Sequence, residues 1–391
     1  SHLLIPVINK ERKIIRIINH SNSNPYPIYK PFLCGNEMEY VIDCLDTNWI
    51  SSQGKFVEQF EQLFAERFGV SHAVTTSNCT TALHLALAAL GIGPGDEVIV
   101  PECTWIASVS PITYLGAKPI FCDIDRNSWC LDPSSVLDSL TSRTKAIIAV
   151  DLFGNMPDMK NLEKICKDNN LFLIEDAAEA LGSVYHGRKA GNFGVGSTFS
   201  FHNTKTMSTG EGGMLLLDDE KLYQKCVKLR DHGRGPDTKP YFNDIIGYKF
   251  MPFNIQAALG LAQFHRVEEL VNIKRRHLSF YRSHLSDLDL QFNIEPDGVV
   301  NGAWITAMVI GKSYGIDKHQ FISRMADENV PIRPFFYPLT SIPAFNLAES
   351  HRDKNLVSYD ISKRGVNLPG APILSEEDLK FICEKIRKVL K

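Results

Sequence analysis

Between about residue 70 and residue 217, short β-branched runs alternate with helical patterns, and this alternation constrains the fold more than any other feature of the chain. Apolar helical periodicity over Thr80–Leu90 gives way to Gly93-Pro94-Gly95-Asp96 and then to Glu97-Val98-Ile99-Val100, a strand-like run. Further runs at Lys118–Cys122, Lys145–Val150 and Leu171–Glu175 are separated by helical segments such as Pro157–Asp168. Strands joined through helices pair in parallel, so the pattern predicts an α/β fold with a mainly parallel sheet covered on both faces. After Gly213–Leu217 the character turns helical, over Glu220–Arg230 and again from about Asn254 to Leu285, a span long enough to join two domains. A chain of 391 residues exceeds what one hydrophobic core serves. The expected division is an N-terminal extension over 1–30, a large domain over 31–274 and a smaller C-terminal α+β domain over 275–391.

Charge narrows the ligand class. Forty-two Lys and Arg against 45 Asp and Glu give a net charge of -3, with both signs interspersed. Neither a nucleic-acid groove nor an anionic membrane surface is expected from that balance, and small molecules fit it better. The nine cysteines are scattered without a C-x-x-C pair, which reads as reduced thiols in a cytoplasmic protein. No apolar stretch approaches the roughly 20 residues that cross a bilayer, and no signal-peptide pattern opens the sequence. The twelve histidines do not gather with cysteines or acids at metal-ligand spacing, so no metal site is expected. Gly91-Ile92-Gly93 lacks the strand-turn-helix setting of a dinucleotide fingerprint.

In open α/β sheets ligands bind beyond the carboxyl ends of strands, and three such positions carry suggestive residues. Thr76-Ser77-Asn78-Cys79-Thr80-Thr81 precedes a helix, whose free N–H groups and positive dipole end suit a phosphate. Leu173-Ile174-Glu175 runs into Asp176, a carboxylate that could face a pyridine nitrogen and keep it protonated. Lys205 follows a strand-like run beside Gly210-Glu211-Gly212-Gly213, where a lysine withdrawn from water could attack an aldehyde. Each residue also has a plainer reading, as an ordinary N-cap, a structural ion pair and a solvated lysine. The chain order of phosphate cap, acid and lysine on one edge gives the signals joint weight.

That combination resembles the sugar aminotransferase family named for DegT, DnrJ, EryC1 and StrS, closely from Trp49 to about Leu270 and more loosely to the C-terminus. The motifs that carry the resemblance are Trp49–Gly54, Asn78–Ala82, Gly93–Pro101, Ile174–Ala180, Ser200–Gly213 and Asn254–Ala258. It implies a PLP-dependent fold-type I (aspartate aminotransferase-like) enzyme that binds pyridoxal 5'-phosphate and passes through pyridoxamine 5'-phosphate. The implied catalytic residue is Lys205, the Schiff-base lysine and proton carrier. The implied cofactor-binding residues are Asp176 at the pyridine nitrogen, Glu179 near the phenolic oxygen, Trp105 stacked on the ring, and Ser200 with the backbone of Thr80 and Thr81 at the phosphate. L-glutamate is the implied amino donor, a nucleotide-linked keto sugar the acceptor, and a homodimer with shared active sites the working unit.

Within the family, Trp49–Ser52, Phe253–Gln263 and Arg333–Pro338 look most like the branch that aminates C4 of a GDP-linked 4-keto-6-deoxy sugar to give perosamine, for O-antigen and lipopolysaccharide synthesis. The same chemistry on a dTDP- or UDP-linked sugar, or a non-catalytic regulator of the same fold, are the alternatives. Lys205 argues against the related dehydratases, which place a histidine there. Three departures stand out. Cys79 replaces a small residue; Lys249 and Met251 replace polar residues, leaving Lys249 as the cation available for a contact with the neighbouring subunit's site; and Leu339-Thr340 stands where perosamine-type relatives often carry a histidine.

Overall fold

The computed structural model describes residues 25–235, 239–345 and 353–391, and in addition the backbone of two N-terminal strands. Those strands, β1 (Leu3–Ile8) and β2 (Ile14–His20), pair antiparallel, so part of the N-terminal extension is a hairpin. The next seven strands in chain order are β3 (His72–Thr76), β4 (Glu97–Pro101), β5 (Lys118–Cys122), β6 (Thr144–Val150), β7 (Phe172–Asp176), and the short β8 (Val184–Tyr185) and β9 (Arg188–Lys189). They are followed by β10 (Gly196–Ser200) and β11 (Gly213–Leu217).

The main sheet has the order β3-β11-β10-β7-β6-β4-β5. From β10 to β5 every neighbouring pair is parallel, as the alternating sequence predicts, and β11 runs antiparallel between β3 and β10. Strands covered on both faces need continuous apolar runs, and β4 and β11 are buried at every position. The strands and helices read from the sequence up to Arg230 fall within a residue or two of the observed ones.

Aromatic residues lock β10 in place. Phe60, Phe64 and Phe68 recur every four residues along the helix Lys55–Phe68, which forms one apolar stripe. Phe64 packs edge-on against Phe199 and Phe201 at 5.3 and 5.7 Å and stacks on Phe264 at 4.5 Å. Gly69, left-handed at φ +69°, ends that helix. The strand that leads to Lys205 is thereby held by a cluster of buried aromatic rings.

The C-terminal part contains β12 (Leu290–Phe292), β13 (Val299–Val300), β14 (Ala307–Ile310), β15 (Arg333–Pro334) and β16 (Gly365–Asn367). Four of these form the antiparallel sheet β12-β14-β16-β15, while β13 pairs with β8. The long helix expected from Asn254 to Leu285 is two helices, Asn254–Phe264 and Val267–His284. The break falls at Arg266, whose guanidinium pairs with Glu269 and lies over the Phe32 ring. The second helix crosses residue 274: Val267, Leu270 and Val271 pack into the main core, Tyr281 and Leu285 into the C-terminal one.

Candidate active site

Six strands of the main sheet end on one edge, and the pairing Ser200–Gly213–Thr76 brings β10, β11 and β3 together there. A Cβ on Gly213 would lie 2.5 Å from the Asn78 carbonyl carbon, so only glycine lets β11 approach the start of the helix Cys79–Leu90. Asn78 caps that helix by accepting from the Thr81 amide at 2.9 Å, and the Thr81 hydroxyl donates back to the Asn78 carbonyl at 2.7 Å. Thr81 is thus committed to its own cap, and the Cys79 and Thr80 amides are the remaining donors of the first two positions. Ser200, at the end of β10, accepts from the His202 amide at 3.3 Å.

Asp176 is the last residue of β7 and is buried. Ser108 Oγ donates to its Oδ2 at 2.7 Å, and the Ala178 amide donates to Oδ1 at 3.2 Å. Burial pushes this carboxyl above its ordinary value; the Ser108 and Ala178 hydrogen bonds and the charge of Lys205 work the other way. Glu179, also buried, accepts from the Phe153 amide at 2.8 Å and from Lys205 Nζ at 3.2 Å. Burial raises it too, with the Lys205 charge and the Phe153 amide opposing.

Lys205 lies in the turn after β10, its side chain only 14 % exposed. Its Nζ sits 4.0 Å above the centre of the Trp304 ring, and Trp304 Nε1 donates to the Thr204 carbonyl at 2.7 Å. The lysine is therefore held between a carboxylate and an aromatic face. Trp105 is 59 % exposed, with its ring 5.9 Å from Phe336, and it opens the short helical turn that carries Ser108.

Lys205, Asp176 and Glu179 converge on one edge, and Trp105 is linked to them through Ser108. Lys249 does not join them within the chain: its Nζ pairs with Asp231 at 2.8 Å. Thr340, one of the departures noted in the sequence, is buried, and its hydroxyl donates to Glu102 at 2.7 Å. Sequence reasoning missed Ser108, Phe153 and Trp304. Ser108 lies only three residues after Trp105, whereas Trp304 is about a hundred residues from Lys205 and left no local signal. A groove of about 820 Å³ lined by Trp49, Ser52, Gln53, Arg230, Met251 and Asn254 includes none of the Lys205 cluster. All nine cysteines are free, and no helix among the described residues is long and apolar enough to cross a membrane.

Similarity to known proteins extends over nearly the whole chain. Residues 33–387 match the profile of the DegT/DnrJ/EryC1/StrS aminotransferase family. The chain belongs to that family. A GDP-perosamine synthase from Escherichia coli O157:H7 is 42% identical over 362 residues, covering 93% of this chain and 98% of that protein. A GDP-perosamine synthase from Vibrio cholerae is 40% identical, with 92% and 98% covered. A putative sugar aminotransferase from Streptococcus pneumoniae, solved in its PLP form, superposes with a TM-score of 0.86 at 26% identity, covering 93% of this chain and 98% of that one. Membership in the DegT/DnrJ/EryC1/StrS family carries an aminotransferase activity and dependence on pyridoxal phosphate.

Proposed function

We propose that this chain transfers an amino group from L-glutamate to the C4 keto group of a GDP-linked 4-keto-6-deoxy sugar, as the GDP-perosamine synthase relatives suggest. The observation that carries the reading is Lys205, nearly buried, 3.2 Å from Glu179 and on the strand edge that also bears Asp176.

The residues present fit pyridoxal phosphate. A buried acid supported by Ser108 suits a ring nitrogen, a helix N-terminus with free amides suits a phosphate, and a lysine between a carboxylate and an indole suits an aldehyde. When bound, that cofactor supplies an electron-withdrawing ring that stabilises negative charge on the carbon that loses or gains a proton. Asp176, ionised, would hold a proton on the ring nitrogen, helped by Ser108. The Thr80 amide and Ser200 would bind the phosphate, with Thr81 shaping the cap. Trp105 would form one wall beside the ring. Glu179 would orient Lys205, and Lys205 would carry a proton between the substrate carbon and the cofactor carbon, away from the amino donor in one half of the exchange and toward the sugar in the other.

A homodimer is part of the proposal. Met38, Ile42 and Leu45 form an exposed apolar stripe on the helix Glu37–Asp46, and Trp49, Ile50, Tyr241 and Ile246 are exposed as well. An apolar surface of this extent marks a protein contact. The same helix contributes Asp43 to the groove lined by Trp49, Gly54 and Met251, and Lys249, two residues before Met251 in sequence, would reach a second copy's site from that side.

The test is a comparison of GDP-, dTDP- and UDP-linked 4-keto-6-deoxy sugars with glutamate and the cofactor, following amino-sugar product by mass spectrometry. Product from the GDP sugar alone is expected. Equal or better turnover of another nucleotide would refute the substrate assignment, and product from none would refute the activity.

A further inference from the structure

Asp151 and Glu175 are both fully buried, and the reaction described above uses neither. Their neighbourhood follows from register. β6 and β7 are parallel with Ala149 opposite Glu175 and Val150 opposite Asp176. Side chains alternate along strands, so Asp151 projects on the same side as Glu175 while Asp176 points to the opposite face. The Asp151 amide also donates to the Asp176 carbonyl at 3.1 Å, which fixes the two strand ends together.

Hydrogen bonding at the two carboxyls is lopsided. Glu175 Oε2 accepts from Ser197 Oγ at 2.6 Å, the Gly191 amide at 2.8 Å and the Phe193 amide at 3.2 Å. Glu175 Oε1 and both Asp151 oxygens have no donor among the described residues. Burial acts most strongly on Asp151, and the charged groups that act on it next, Glu175, Asp176 and Glu179, are all acidic. Two ionised carboxylates side by side without a cation are strongly unfavourable in such a place, and one proton between them removes one of the two charges and gives Glu175 Oε1 a donor.

We propose that Asp151 and Glu175 share one proton, carried by Asp151 and donated to Glu175 Oε1, and that protonated Asp151 is a positioning residue for Lys205. Glu175 keeps the charge because three donors stabilise it. Burial raises both groups, Asp151 well above its usual range.

The route from Asp151 to Lys205 is short. Asp151 starts a tight turn closed by the Gly154 amide on the Asp151 carbonyl at 3.2 Å and the Asn155 amide on the Leu152 carbonyl at 3.1 Å. Phe153 within it is left-handed at φ 53°, a conformation that a side chain adopts only when its surroundings impose it. Its ring stacks on Phe336 at 5.5 Å, and its amide donates to Glu179, whose other oxygen accepts from Lys205. Pinning the start of this turn therefore pins the carboxylate that orients the lysine. Loss of the shared proton sets two charges against each other at the turn's root and loosens that arrangement.

The inference rests on the proposed function only in taking Lys205 as the reacting amine, and its primary test does not need turnover. The cofactor-free protein would be compared with Asp151→Asn, whose amide also donates to Glu175, and with Asp151→Leu, which cannot. An infrared difference spectrum of wild type minus Asp151→Asn at neutral pH is expected to show a protonated carboxyl band. A group raised in the folded state stabilises fully below its unfolded value and loses that contribution as pH rises through its folded value. The wild-type thermal midpoint should therefore fall relative to that of Asp151→Asn as pH increases. With cofactor and glutamate added, Asp151→Asn should stay close to the wild-type half-reaction rate and hold it to higher pH, while Asp151→Leu should lose about tenfold or more. Absence of the carboxyl band, or parallel midpoint curves, would overturn the shared proton. Equal losses in both variants would overturn the positioning role. A wild type inert toward glutamate would defeat the functional reading and the positioning role with it, and the two cofactor-free measurements would still decide the proton.

Discussion

Replacing Ser108 by alanine removes one hydrogen bond, and the consequence can be worked through in pH. Ser108 Oγ lies 2.7 Å from Asp176 Oδ2 and is the shortest donor to that carboxylate; the Ala178 amide stands at 3.2 Å on the other oxygen. A hydrogen bond to a charged group is worth about 1.5–3 kcal/mol, and its loss raises the Asp176 pKa further. The direction is upward because Ser108 favours the ionised form, and burial already pushes Asp176 up. Ionised Asp176 is the form that holds a proton on the ring nitrogen. The acid limb of cofactor binding, followed by absorbance from acid to mildly alkaline pH, should move to higher pH in Ser108→Ala. Ser108→Thr, which keeps a hydroxyl, should restore most of it. Superimposable acid limbs in wild type and Ser108→Ala would refute the reasoning, because a packing role for Ser108 would lower affinity equally at every pH.

Other perturbations test separate parts of the account. Lys274 is buried, has its Nζ on the Gly370 carbonyl at 2.8 Å, and is lowered by burial from 10.5 to about 7. The unfolded chain binds that proton more tightly across this window, so wild-type stability should rise with pH between the two values, and a thermal scan of Lys274→Met should lack that rise. Gly213→Ala should destabilise the protein by about 1–3 kcal/mol and weaken cofactor binding in titrations, because its Cβ meets the Asn78 backbone. Trp304→Phe keeps a ring under Lys205 but loses the bond to Thr204, so it should cost about 1 kcal/mol in denaturant midpoint, with a smaller effect on the glutamate half-reaction than Trp304→Ala.

The parallel strands were legible because a strand buried on both faces must be apolar throughout and must end in turn residues, and Lys118–Cys122 was read to the residue. The position of β11 was not legible, since its placement between β3 and β10 is a long-range pairing that leaves no local periodicity. The break at Arg266 was hidden for a similar reason: no proline or glycine marks it, and the partners of Arg266 lie partly in the distant segment near Phe32. Asp176 and Lys205 stood out only through their chain order and the surrounding motifs, each being unremarkable alone. Thr81 was read as a phosphate contact from the same cap geometry that turns its hydroxyl back onto Asn78. Asp151 gave no signal in the sequence, because its meaning depends on facing Glu175 across a strand boundary.

The most direct measurement of the central claim follows the nitrogen itself. Protein loaded with pyridoxal phosphate would be given GDP-4-keto-6-deoxymannose and L-glutamate labelled with heavy nitrogen, with Lys205→Ala in parallel. The account predicts a GDP-amino sugar carrying the heavy nitrogen from wild type and none from Lys205→Ala. Unlabelled product, or equal labelling in the variant, would contradict it.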